Sequence, residues 1–228
     1  MVSSASQPHS TAVEDYAKAI YALQTERGGA VSTNALSERL GVTPGSASGM
    51  VRKLDALGLV THVPYKGVML TESGRKVALE VLRHHRLLEL YLAESLGLPW
   101  DRVHDEAEVL EHHISEELEE RIAAKLGDPT HDPHGDPIPT RELTIDEGDS
   151  TSLASLEPGA RGRFTRISDQ DAAMLRYLAE RGISPGDAFE VVDKQPFDGP
   201  LFVRFGANED VHVLGGALAA AMRVEVTR

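Results

Sequence analysis

Across residues 11–26 apolar side chains return at Val13, Ala17, Ile20, Tyr21 and Leu23, the spacing of a helix with one inward face. Gly28 and Gly29 end that pattern. Ser32 is placed to cap a second helix, with Ala35, Leu36 and Leu40 on its apolar side and Gly41 at the turn beyond. Thr43-Pro44 opens a third, Thr as N-cap and Pro at the first position. It runs to about Leu57 with Ala47, Met50, Val51 and Leu54 inward, and Gly58 stops it. The period then drops to two. Residues 59–63 and 68–71 flank Pro64-Tyr65-Lys66-Gly67 and read as a β-hairpin. Two helices joined by a short glycine turn, followed by such a hairpin, predict a winged helix-turn-helix.

Further on, Thr71 caps a long helical pattern, residues 72–96, with Val77, Leu79, Val81, Leu82, Leu87, Leu88, Leu90 and Leu92 apolar. Residues 97–100 break it, and residues 104–113 read as another helix. Ser115 caps one more, where Leu118, Ile122 and Leu126 recur every four residues among glutamates. A stripe this narrow suits a partner helix, from a second subunit or from the same chain's core. Residues 128–149 have turn and linker composition, rich in Pro, Gly and Asp, and His131 and His134 within them are expected to be solvated. Beyond them lie short alternating runs at 162–167, 188–192, 201–205, 210–213 and 222–226, with one helix at 171–180. That pattern predicts a small β-barrel. The expectation is a mainly α protein with small β parts, divided at 1–74, 75–149 and 150–228.

Charge changes the picture by its distribution. The net charge is −13, yet residues 1–77 hold eight Lys/Arg against six Asp/Glu, while residues 78–150 hold six against nineteen. Only the first third is suited to a polyanion. The chain has no cysteine, which excludes disulfides, zinc-thiolate sites and thiol nucleophiles. No apolar run approaches the length of a membrane span, and residues 1–10 lack the apolar segment of a signal peptide. A cytoplasmic protein without a membrane partner is expected.

Two constellations carry candidate chemistry. On the third helix, Thr43, Pro44, Ser46, Gly49, Arg52 and Lys53 face outward, small residues first and basic ones after, and Lys66 sits in the hairpin turn. These suit insertion into the major groove of double-stranded DNA with a wing on the backbone. A small helical domain without DNA would show the same fold pattern. In the acidic third, the stretch His-Asp-Glu-Ala-Glu-Val-Leu-Glu-His-His puts His104, Glu108, Glu111 and His112 on one stripe if it is helical throughout. His85 and Glu89 form a second pair one turn apart. Nitrogen and oxygen ligands so close suit a divalent transition metal, against the plain reading of a solvated acidic face. A metallohydrolase would use the same groups, but neither a nucleophile loop nor a pocket for a small organic substrate is legible, and a metal buffer would need no winged helix.

The winged helix, His85-Arg-Leu-Leu-Glu89 and His104-Asp-Glu-Ala-Glu108-Val-Leu-Glu111-His112 together resemble the diphtheria toxin repressor family of metal-dependent transcriptional repressors. Residues 150–228 resemble the SH3-like, FeoA-type domain of its longer members. The resemblance implies a homodimer that binds operator DNA when metal-loaded, and no enzyme. It implies a primary site at Asp15, Glu108, Glu111 and His112, and an ancillary site at His85, Glu89 and His104 completed by Asp169. Arg166 stands near a position where some iron-sensing members carry a Glu ligand. Those members place Met and Cys where this chain has Asp15 and Glu108, so the resemblance points to the manganese-sensing branch. Hard carboxylates suit Mn²⁺, with Zn²⁺, Co²⁺ or Cd²⁺ as substitutes and an Fe²⁺ sensor as the alternative. Lys18 stands where the Bacillus-type manganese regulators carry a further Glu.

Overall fold

A computed structural model of the chain describes residues 9–167, 171–197, 199–206 and 210–227. The chain divides into two compact units, Met1–His84 with Pro139–Thr144, and His85–Ile138 with Ile145–Arg228.

The first unit holds α1 (Thr11–Arg27), α2 (Thr33–Arg39), α3 (Pro44–Ala56), β1 (Val60–Val63), β2 (Gly67–Leu70) and the first half of α4 (Glu72–Leu96). Helices α2, α3 and α4 each begin where a hydroxyl satisfies an otherwise orphaned amide. Ser32 accepts from Ala35, Thr43 from Ser46, and Thr71 from Gly74. Val13, Ile20, Leu23, Leu36, Val51, Leu54, Leu59 and Val68 share one apolar core. Full burial of each such side chain is worth roughly 1.5–3 kcal/mol. The hairpin pairs antiparallel, Val60 opposite Leu70 and Val63 opposite Gly67. The turn-proximal part of β2 is pinned to the chain before α2, where Val31 and Val68 exchange backbone hydrogen bonds of 2.8 and 2.9 Å. Gly67 allows this approach: its φ is 121°, and a Cβ there would lie 2.0 Å from the Val31 carbonyl oxygen.

The second unit combines the rest of α4 with α5 (Val103–Leu110), α6 (Glu116–Lys125) and a C-terminal sheet. The sheet comprises β3 (Thr151–Ser152), β4 (Arg161–Ile167), β5 (Ala188–Lys194), β6 (Leu201–Phe205), β7 (Val211–Leu214) and β8 (Met222–Val226). Its antiparallel order is β3-β8-β4-β5-β6-β7, with register shifts after Phe164 and Val191 that bend the strands. It is an SH3-like sheet with β3 and β7 at its edges. Helices α7 (Ala172–Ala179) and α8 (Gly216–Ala221) are in the same unit. Phe164, Ile167, Leu175, Leu178, Val203, Leu214 and Met222 form its core, and Leu87, Leu88, Ala107, Ile122 and Ile138 form a smaller helical one.

Three expectations change. The helix expected over 104–113 ends at Leu110, and Glu111 to His113 are turn residues. Ser115 must be extended to cap α6, at φ −86° and ψ 157°, so the chain leaves the helix before it. The stripe on α6 is shared between core and surface, with Ile122 buried, Leu126 half-buried and Leu118 exposed. Finally, residues 128–138 are no loose linker. Asp132 Oδ1 accepts the amides of His134 and Asp136 at 2.8 and 2.9 Å, and Ile138 N–H donates to the Thr130 carbonyl. This folded strap lies along β4, where Ile167 N–H donates to the His134 carbonyl. Gly135, at φ 84°, comes so close that a Cβ would meet the Thr165 carbonyl oxygen at 1.9 Å.

Candidate metal centre

One turn of α4 separates His85 from Glu89, α5 contributes His104 and Glu108, the turn after α5 contributes Glu111 and His112, and the strap contributes Asp132 and His134. All eight belong to the second unit. Glu89 is fully buried. Its Oε1 lies 2.9 Å from His85 Nε2 and 3.2 Å from His104 Nδ1, and its Oε2 lies 3.6 Å from His134 Nδ1. His85 turns its other nitrogen to Glu111, Nδ1 to Oε2 at 2.5 Å, and Glu111 Oε1 lies 3.3 Å from His112 Nε2. Glu108, at the exposed end, reaches His104 at 3.8 Å.

Possible ligand atoms of His85, His104 and Glu108 fall within 4.8 Å of one another, as do those of Glu89, Asp132 and His134. These groupings cut across the expected partition without testing it. Glu108 stands with His85 and His104, and Glu89 also belongs to a set that includes strap residues. His134, expected to be solvated, is fully buried and hydrogen-bonds the Trp100 carbonyl through Nε2 at 2.8 Å. Asp132, also buried, was not legible as a candidate because Asp-Pro-His-Gly is turn composition and its reach to α4 is a tertiary fact. Asp15 lies on α1, half-buried, in the first unit. Asp169 lies outside the described residues.

Burying carboxylates costs several kcal/mol apiece unless positive charge or donors replace water. At Glu89 burial favours the neutral acid, but His85 above all, with His104 and His134, outweighs it and holds the carboxyl well below the usual carboxylate range. Asp132 shows the opposite balance. Burial, then Asp136 and Glu89, push its carboxyl well above that range, and Arg86 at 3.8 Å and His134 offset this only in part. Glu89 Oε2 is buried without a hydrogen bond among the described residues. Imidazole nitrogens, carboxylate oxygens, no sulfur and one such oxygen left over make a donor set that fits a divalent transition metal.

On the first unit, Thr43, Pro44, Ser46, Arg52 and Lys53 are exposed, Gly49 is half-buried, and Lys66 is exposed beside a fully exposed Tyr65 at the hairpin tip. Thr43 Oγ1 is engaged in the cap, 2.9 Å from Ser46 Oγ.

Three family models match the chain. They describe an iron dependent repressor N-terminal DNA binding domain over residues 9–68, an iron dependent repressor metal binding and dimerisation domain over 71–140, and a FeoA domain over 151–226. The iron-dependent repressor IdeR of Mycobacterium leprae is 38% identical over 225 residues, covering 93% of this chain and 96% of that one. The diphtheria toxin repressor of Corynebacterium diphtheriae is 33% identical over 222 residues, with the same shares covered. The chain belongs to the diphtheria toxin repressor family. It is therefore a metal-dependent transcriptional repressor, with a DNA-binding and a dimerisation domain, and not an enzyme. Among solved structures, a manganese-dependent transcriptional repressor in complex with manganese superposes on the repressor with a TM-score of 0.88 at 43% identity, covering 94% of this chain and all of that one. ScaR with bound Cd²⁺ superposes with a TM-score of 0.78 at 28% identity, covering 93% and 98%. No described helix of the repressor is long and apolar enough to cross a membrane.

Proposed function

We propose that this repressor is a cytoplasmic Mn²⁺ sensor that binds operator DNA as a homodimer when metal-loaded and controls manganese-uptake genes. The observation that carries the metal assignment is the donor set. It holds histidine nitrogens and carboxylate oxygens throughout, in a chain with no cysteine. Such hard ligands favour Mn²⁺ over softer ions more than a Met/Cys site does. The manganese-complexed repressor at 43% identity supports the same reading. The Fe²⁺ alternative draws its support from the iron-dependent repressors at 33–38% identity.

In this reading Asp15, Glu108, Glu111 and His112 hold one ion, with Asp15 linking the DNA-binding domain to the metal. His85, Glu89 and His104 hold a second, completed by Asp169. Asp132 and His134 add ligands to the Glu89 side. The domains are assigned as 1–74 for DNA, 75–149 for metal and dimerisation, and 150–228 as the SH3-like module. Thr43, Pro44, Ser46, Gly49, Arg52 and Lys53 enter the major groove, and Lys66 meets a phosphate. The bound ion supplies positive charge among groups that otherwise repel. By linkage, metal and operator raise each other's affinity by one factor.

The test is fluorescence anisotropy with promoter DNA of the manganese-uptake genes, titrating Mn²⁺, anaerobic Fe²⁺ and Zn²⁺ at one salt concentration. Tight binding at low Mn²⁺ and only at much higher Fe²⁺ is expected. Equal or better activation by Fe²⁺ selects the alternative.

A further inference from the structure

His85 is buried between two acidic groups that the metal reading assigns to different ions. Nε2 faces Glu89 Oε1 at 2.9 Å and His104 Nδ1 at 3.0 Å, while Nδ1 faces Glu111 Oε2 at 2.5 Å. Glu111 has its second oxygen toward His112. A neutral imidazole has one N–H and one lone pair. Used as a ligand through Nε2, His85 must carry its proton on Nδ1, and that proton has Glu111 as its acceptor. The imidazole then fixes which oxygen of Glu111 remains to face His112. Outer partners of this kind, which orient a ligating carboxylate, change metal affinity by about 10–100-fold when removed.

We propose that His85 is the positioning residue that couples the two metal sets, ligating on the Glu89–His104 side through Nε2 while its Nδ1–H holds Glu111 in place for the Glu111–His112 side. This inference rests on the metal reading above. It differs from a plain ligand assignment in one consequence: loss of His85 weakens a site in which it is not a ligand.

The closing experiment compares His104→Ala, His85→Phe, His85→Asn and His85→Gln in the full chain. Bound Mn²⁺ is counted by the loss of its free-ion EPR signal, and the affinity of the remaining ion is read by calorimetry. Circular dichroism of the metal-free proteins checks folding. Wild type is expected to bind at least two ions per chain. His104→Ala and His85→Phe are both expected to lose one. The ion that remains should bind about tenfold or more weakly in His85→Phe than in His104→Ala. His85→Asn, whose amide N–H stands near the place of Nδ1, should recover most of that loss. His85→Gln, whose amide lies further out, should not, and the Asn/Gln pair carries the comparison if the Phe variant does not fold. Equal affinity for the remaining ion in His104→Ala and the His85 variants would overturn the coupling and leave the metal reading standing. A wild-type protein that takes up no Mn²⁺ would overturn both.

Discussion

The two units of the repressor solve opposite problems. The first closes an almost wholly apolar core: its described buried polar side chains are Ser37 and His84. That core is closed by α1, α2, α3 and the hairpin. The second buries His85, Glu89, Glu111, Asp132 and His134. These come from three separate segments and fit together only if their charges are balanced. A unit of the first kind is stable whatever ions are present. A unit of the second kind is stable in proportion to what neutralises it, and so its stability can report a metal. The family joins the two, so that an ion-sensitive unit governs an ion-indifferent DNA reader.

The largest expected effect tests the indifferent half. Leu54 is fully buried in the core under α3, and Leu54→Ala should cost about 2–5 kcal/mol. The same loss is expected with and without Mn²⁺ in paired urea titrations of the first unit's transition. A loss confined to the metal-free protein would mean that this core too depends on the ion.

Next in size is the link itself. Asp15→Ala should leave the fold intact and remove the response of operator binding to Mn²⁺, a coupling of about 5–150-fold for regulated proteins of this kind. Anisotropy with and without Mn²⁺ decides it. The variant should bind weakly in both cases. A response to Mn²⁺ as large as that of wild type would show that Asp15 carries no part of the coupling.

Arg52→Ala and Lys66→Ala sharpen the comparison from the DNA side. Both side chains are exposed on the first unit, and no second-unit ligand is touched. Lys66→Ala should weaken binding to every sequence alike and lower the slope of log affinity against log salt by about one, whereas Arg52→Ala should weaken operator binding and relax sequence specificity. Mn²⁺ stoichiometry should stay at the wild-type value in both variants; a regulator loses operator binding, whereas a metal buffer without DNA function would lose nothing.

Legibility followed the same division. The first unit could be read because its signals are local. Ser32, Thr43 and Thr71 cap within three residues of themselves, and Gly67 marks a turn whose neighbours alternate. In the second unit the motif residues His85, Glu89, His104 and Glu111 were legible as a set because α4 and the stretch after it carry them at short spacings. Two things were not. The end of α5 at Leu110 is decided by the demand of Ser115 to cap α6, so the stripe read through Glu111 and His112 is continued by a turn and not by a helix. The strap carries turn residues because it is made of turns, and composition does not say what a turn is folded against. Gly135 on Thr165 and His134 on Ile167 settle that, thirty or more residues away.

The smallest expected effect lies in that strap and concerns acid. Asp132 is held above its ordinary carboxylate value first by burial, then by Asp136 and Glu89. Its neutral form is therefore favoured by folding. The contribution is complete below the unfolded value and is lost as pH rises through the folded one. Glu89 works the other way: held low, it contributes above its unfolded value and loses that contribution as acid protonates it. Without metal, Asp132 should therefore cost the protein stability toward neutral pH. Asp132→Asn keeps an oxygen for the amides of His134 and Asp136 and removes the charge. In chelator, the melting temperature of Asp132→Asn should match wild type near the acid end of the range and exceed it increasingly toward neutral pH. A domain of this size gains roughly 2–4 °C for each kcal/mol regained. With Mn²⁺ the order should reverse, because the charge that burdens the metal-free strap is the one a cation uses. A constant difference between variant and wild type across pH would mean that Asp132 is already neutral or already balanced, and that the strap serves only to place His134.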